Sequence, residues 1–234
     1  MTEMFPLQSA VAVHAVPEAG GCDLLEKYWR DLRGSSGELL PPQTVRFFDS
    51  APAAYALSWY DRAGRSEEAV VSFHDPSGSD FASSVRVDQV AGDYLSGATE
   101  LLLVLDGATV KTHRECEGDI LGPSIGQTKE MVESLVALLR VRNGLKKNQP
   151  IDTPLAVVVT KTDLFEESLS NAYPPSEEIL RLLNENHCGE IVTTIEKNFS
   201  QTCFFGASVL GSTFGSNVGG VLRWFLDVRG LSPV

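Results

Sequence analysis

The chain has 234 residues and a formal net charge of -12, from 31 acidic and 19 basic residues. That charge disfavours nucleic acid and anionic membranes as partners and suits protein partners with basic faces. Apolar residues make up 43% of the chain, enough to core one α/β domain over residues 1–234, and no apolar run reaches the length of a membrane span.

Residues 9–16, SAVAVHAV, alternate small or polar residues with valine and predict a first strand. The loop PEAGG follows. In CDLLEKYWRDLRG, Leu24, Leu25, Tyr28, Trp29 and Leu32 fall at helical spacing, and Gly34 suits a helix stop. Residues 35–53 carry Pro41, Pro42 and Pro52 and read as loop. Residues 55–60 and 69–73 flank a glycine-bearing turn and predict an antiparallel hairpin. Residues 85–95 suit a helix.

LLLVL at residues 101–105 is a continuous apolar run, as in a central strand, and ends at Asp106. The stretch 107–125 is rich in glycine, contains Pro123 and predicts a loop. Residues 127–142 form the clearest helix, with Met131, Leu135, Leu138 and Leu139 on one face. Residues 155–159, LAVVV, predict another buried strand. Helices are expected over 176–183 and 191–199, parted near Gly189, then a short strand over 203–205 and a closing helix over 218–228. Trp224, Phe225 and Leu226 in that last helix read as core packing.

This alternation predicts a doubly wound, mostly parallel six-stranded sheet with helices on both faces. Cys22, Cys116, Cys188 and Cys203 show neither paired nor metal-ligand spacing. Reduced thiols, and a first segment 1–6 with an acid and no basic residue, predict a cytoplasmic protein.

Ligands of such sheets lie where the strands end, so the residues there carry the chemistry. After VVSF comes His74-Asp75-Pro76-Ser77-Gly78, a DxxG string that also reads as an Asp-Pro turn. After LAVVV comes Thr160-Lys161-Thr162-Asp163, or TKxD, which also reads as a capped helix start. After TCFF comes Gly206-Ala207-Ser208, and Thr44 follows two prolines before the hairpin.

In that order these elements resemble the P-loop GTPases. The chain is similar to a Ras-like member of the translation-factor-related class, in flavour the bacterial double-GTPase group, over about residues 9–230. The resemblance implies roles. Asp75 would hold the shell of Mg²⁺, and the Gly78 amide and Thr44 would meet the γ-phosphate. Guanine offers two donors, a ring N–H and an exocyclic amine, which one carboxylate, Asp163, can accept together; adenine has no such pair. The Lys161 stem would lie on the base face, and Thr160 would tie the loop. The Ala207 amide would meet the guanine oxygen, with Ser208 beside it.

The chain departs from the family at the first turn. A working P-loop reads GxxxxGK followed by Ser or Thr, whose amides and lysine cradle phosphates. No such string occurs in the 234 residues. The matching place holds Ala15-Val16-Pro17-Glu18-Ala19-Gly20-Gly21-Cys22, where Gly20 survives as a glycine of the motif and Gly21 stands at the lysine position. A hydrogen bond to a charged group contributes about 1.5–3 kcal/mol, so losing the lysine and a Mg²⁺ ligand weakens triphosphate binding by about two orders of magnitude or more. Glu18 adds repulsion and Pro17 lacks an amide donor. Ser79, not glutamine, follows the DxxG string, so no catalytic residue is assigned.

The expected function is a pseudo-GTPase: a regulatory or assembly module that binds GTP or GDP with Mg²⁺ weakly or not at all and contacts a protein partner, such as another GTPase. Two alternatives stand beside it. One is an active GTPase completed by a partner or a missing N-terminal segment. The other is an unrelated α/β interaction protein. A serine hydrolase is disfavoured, because Gly206-Ala207-Ser208-Val209-Leu210 lacks the closing glycine of GxSxG.

Overall fold

The structure is a computed structural model that describes residues 11–15, 53–60, 65–73, 97–112, 125–165, 177–208 and 218–231. The chain divides into two compact units, one of residues 1–80 with 230–234 and one of residues 81–229.

In the first unit, strands β1 (Val11–Ala15), β2 (Ala53–Tyr60) and β3 (Ser66–Phe73) form an antiparallel sheet in the order β1-β2-β3. The registers pair Val11 with Trp59 and Tyr60 with Ser66. The expected hairpin is therefore present as β2–β3. Leu57 and Trp59 point to the buried face while Tyr60 is exposed, the period-2 pattern of a sheet with one dry side. β1 departs from expectation: it pairs antiparallel with β2 instead of joining a parallel sheet. Its alternating sequence accounts for this, since strands of parallel sheets are buried on both faces and read as unbroken apolar runs. Among the described residues the six strands thus fall into two three-stranded sheets, and a single six-stranded sheet is not seen.

The second unit contains β4 (Leu101–Asp106), α1 (Gly107–Thr112), α2 (Ile125–Arg142), β5 (Leu155–Thr160), a single 3-10 turn (Thr162–Leu164), α3 (Glu177–Glu185), α4 (Gly189–Asn198), β6 (Thr202–Gly206) and α5 (Val218–Val228). β4, β5 and β6 are parallel and adjacent in that order. β5 is central and buried on both faces, as its apolar run predicts, whereas β4 lies at the edge of the described sheet with Leu102 and Val104 exposed, so its run is not that of a central strand. Leu101, Leu103 and Leu105 of β4 and Val157 and Val159 of β5 face one core with Val132 and Leu139 of α2, Leu183 of α3 and Ile191 and Ile195 of α4. On the opposite face Ala156, Val158 and Phe205 pack under α5, through Val221 and the half-buried Trp224 and Phe225. Phe205 and Trp224 meet edge-on with ring centroids 6.2 Å apart. The single buried face of β4 fixes its register, because a one-residue slip would turn Leu101, Leu103 and Leu105 to the side where Leu102 and Val104 are exposed.

Two details differ from expectation. Residues 107–112 form α1 rather than loop, because Asp106 caps it: the Ala108 N–H donates to Asp106 Oδ1 at 3.0 Å. Of the expected face of α2, Leu138 and Leu139 are buried, while Met131 and Leu135 are only partly so, and Thr128, Val132 and Val136 complete the buried set. The break between α3 and α4, over residues 186–188, falls beside Gly189 as expected, and His187 within it takes a left-handed φ of 62°. No helix of the described residues is long and apolar enough to cross a membrane. The expected helices over 22–34 and 85–95 lie outside the described residues.

Candidate functional site

Parallel pairing sets the carboxyl ends of three strands side by side. Asp106 lies opposite Thr160, and Val159 opposite Gly206, so whatever follows each strand converges on one edge. Those followers are Gly107, the TKTD segment and Ala207-Ser208.

The TKTD segment is held from several directions. Thr160 Oγ1 donates to the Leu105 carbonyl at 3.2 Å, tying the end of β5 to β4. Lys161 then takes φ 53° and ψ 39°, the left-handed region, which costs a non-glycine residue about 1–3 kcal/mol and persists only where its surroundings impose it. That reversal lets the Leu164 N–H reach the Lys161 carbonyl at 3.1 Å and the Phe165 N–H reach Thr162 at 3.2 Å. The Thr162 N–H donates to the Ala207 carbonyl at 3.2 Å, linking the segment to the end of β6.

The side chains complete the edge. Ser208 Oγ donates to Asp163 Oδ1. Asp163 itself is exposed, so its carboxylate is presented at the surface with one oxygen oriented by Ser208. Lys161 Nζ lies 3.0 Å from Asp106 Oδ2, both groups being partly exposed. Lys111 Nζ donates to the Leu164 carbonyl at 2.7 Å, fastening α1 to the far end of the 3-10 turn. A left-handed lysine between an oriented carboxylate and a neighbouring strand end is a surface that can accept two donors from a planar ring and lay a methylene stem along its face.

Of the residues singled out in the sequence, the structure brings together Thr160, Lys161, Asp163, Ala207 and Ser208. Gly20, Thr44, Asp75 and Gly78 lie outside the described residues. Ala207 stands where expected but is used differently. Its N–H donates to the Val159 carbonyl at 2.8 Å and so extends the sheet ladder, while its carbonyl receives Thr162. Sequence reasoning passed over Asp106, Gly107 and Lys111. The signal was present in LLLVLDG, an acid leaving an apolar strand just as Asp163 does, but the following glycine read as a loop.

Nucleophilic thiol chemistry finds no support nearby. Burial pushes the Cys188 and Cys203 thiols up to about 11, so both are protonated at neutral pH. Away from the edge, a groove of ≈310 Å³ between α2 and α4 is crossed by the Lys129–Glu190 ion pair, which raises the lysine and lowers the glutamate from their ordinary values.

No family model matches the chain, and no curated protein matches it. Among solved structures it is similar to the signal recognition particle receptor SRb-GTP/SRX complex from Chaetomium thermophilum, at 18% identity over 89% of this chain and 92% of that chain, with a TM-score of 0.36.

Proposed function

We propose that the chain is a GTPase-fold domain that reads guanine weakly at the TKTD corner, lacks the lysine that grips phosphates, and acts as a regulatory or assembly module on a protein partner. The observation that carries this is the Asp163 carboxylate, oriented by Ser208 and set beside the left-handed Lys161 where three parallel strands end. A carboxylate so placed matches the two donors on one edge of guanine. Each charge-assisted hydrogen bond contributes about 1.5–3 kcal/mol, enough for selectivity over adenine. The 234 residues contain no GxxxxGK string to add phosphate affinity, and no residue is assigned to water activation.

Titration of the ¹⁵N-labelled chain with GDP and with ADP tests this. GDP is expected to shift the amides of Thr162, Asp163 and Ser208 with a dissociation constant weaker than about 1 μM, which corresponds to about 8 kcal/mol, and ADP to leave them in place. Equal responses to the two nucleotides would remove the guanine role. The antiparallel pairing of β1 favours one other reading, an α/β interaction protein unrelated to GTPases. Absence of any shift with either nucleotide selects that reading.

A further inference from the structure

The β4–α1 corner touches the TKTD segment at both of its ends. One oxygen of Asp106 receives the Ala108 N–H and the other faces the Lys161 ammonium, each at 3.0 Å. Lys111, one turn along α1, reaches the Leu164 carbonyl. Gly107 lies so close to the segment that a Cβ there would sit 2.1 Å from the Thr160 carbonyl oxygen. The strained Lys161 backbone is therefore spanned by one continuous piece, residues 106–111, that contributes no atom to the motif itself.

We infer that Asp106 is the positioning residue of the base-reading loop: its carboxylate joins the Lys161 ammonium to the first turn of α1 and so sets the lysine stem where a purine face would lie. This rests on the guanine role of Asp163 for its functional meaning, but the positioning itself has a readout without nucleotide. Lysine left to solvent samples many rotamers, and its left-handed backbone relaxes. Holding the ammonium from a capped helix start removes that freedom before any base arrives, which is preorganisation of the site.

Hydrogen exchange and guanosine titration of the full chain with Asp106→Asn and Asp106→Ala test this. The nucleoside is used because it isolates base recognition from phosphate binding. In Asp106→Ala the hydrogen-bonded amides of Thr162, Leu164 and Phe165 are expected to exchange about threefold to tenfold faster, with residues 155–159 unchanged. Asp106→Asn, which keeps an acceptor but no charge, is expected to fall between and decides the matter if the alanine variant does not fold. Guanosine-induced shifts at Asp163 weaken in the same order. Unchanged exchange at residues 162–165, or acceleration that spreads equally through 155–159, overturns the positioning role. If the unsubstituted chain gives no guanosine shift, the guanine role of Asp163 fails, while the exchange data still decide whether Asp106 orders the loop.

Discussion

Replacing Gly107 with alanine is expected to destabilise the second unit by about 3 kcal/mol, the upper part of the range for forcing a methyl group into occupied space. An added Cβ would stand 2.1 Å from the Thr160 carbonyl oxygen, 3.2 Å from the Lys161 carbonyl oxygen and 3.3 Å from Phe165 Cε2. The first two neighbours are backbone atoms, and neither can rotate away. Relief requires either that β4 and β5 part where Asp106 pairs with Thr160 or that α1 swing off the sheet end. Alanine's better helix propensity, about 1 kcal/mol, does not offset this. With a urea dependence of about 1–3 kcal/mol per molar, the unfolding midpoint should fall by roughly 1 M or more. A midpoint equal to that of the unsubstituted chain would show that β4 and α1 do not approach TKTD as described.

Asp163→Asn is expected to weaken guanosine binding by about a hundredfold and to let xanthosine bind instead. A carboxylate offers two acceptors, whereas an amide offers one acceptor and one donor. Against guanine the amide loses one charge-assisted bond and turns a donor toward a donor, a loss of about 3 kcal/mol, or roughly two factors of ten. Xanthine carries a carbonyl where guanine carries its amine, so the amide donor then finds an acceptor. Asp163 is exposed, and substitutions at such positions usually change stability by no more than about 0.5 kcal/mol. The unfolding midpoint should therefore stay in place while specificity moves. Unchanged guanosine binding in the variant would show that Asp163 does not touch the base.

The parts of the fold that were legible in the sequence are those set by local pattern. LLLVLD and LAVVVT announce strands, and the structure pairs them in parallel with TCFFG, but only LAVVVT is buried on both faces; Leu102 and Val104 of LLLVLD are exposed. Once those strands are recognised, TKTD and Ala207-Ser208 are read as strand-end residues and are found together. Partner choice was less legible. The alternation in β1 predicts a strand, but not that β2 is the neighbour, because pairing is settled by backbone hydrogen bonds between residues some forty positions apart. Gly107 was misread because a glycine that breaks structure and one that permits close approach look alike in a sequence. Only the distance to the Thr160 carbonyl separates them. On α2 the apolar residues extend around much of the helix, so Met131 and Leu135 could be mistaken for the core-facing stripe that Val132 and Val136 form.

Calorimetric titration with GTP, in the presence and absence of Mg²⁺ and followed by a phosphate-release assay, bears most directly on the pairing of a guanine-reading corner with a missing phosphate grip. The predicted result is weak, guanine-dependent binding, with a dissociation constant above about 1 μM, indifferent to Mg²⁺ and without turnover. Sub-micromolar binding that requires Mg²⁺ and leads to repeated hydrolysis would contradict it.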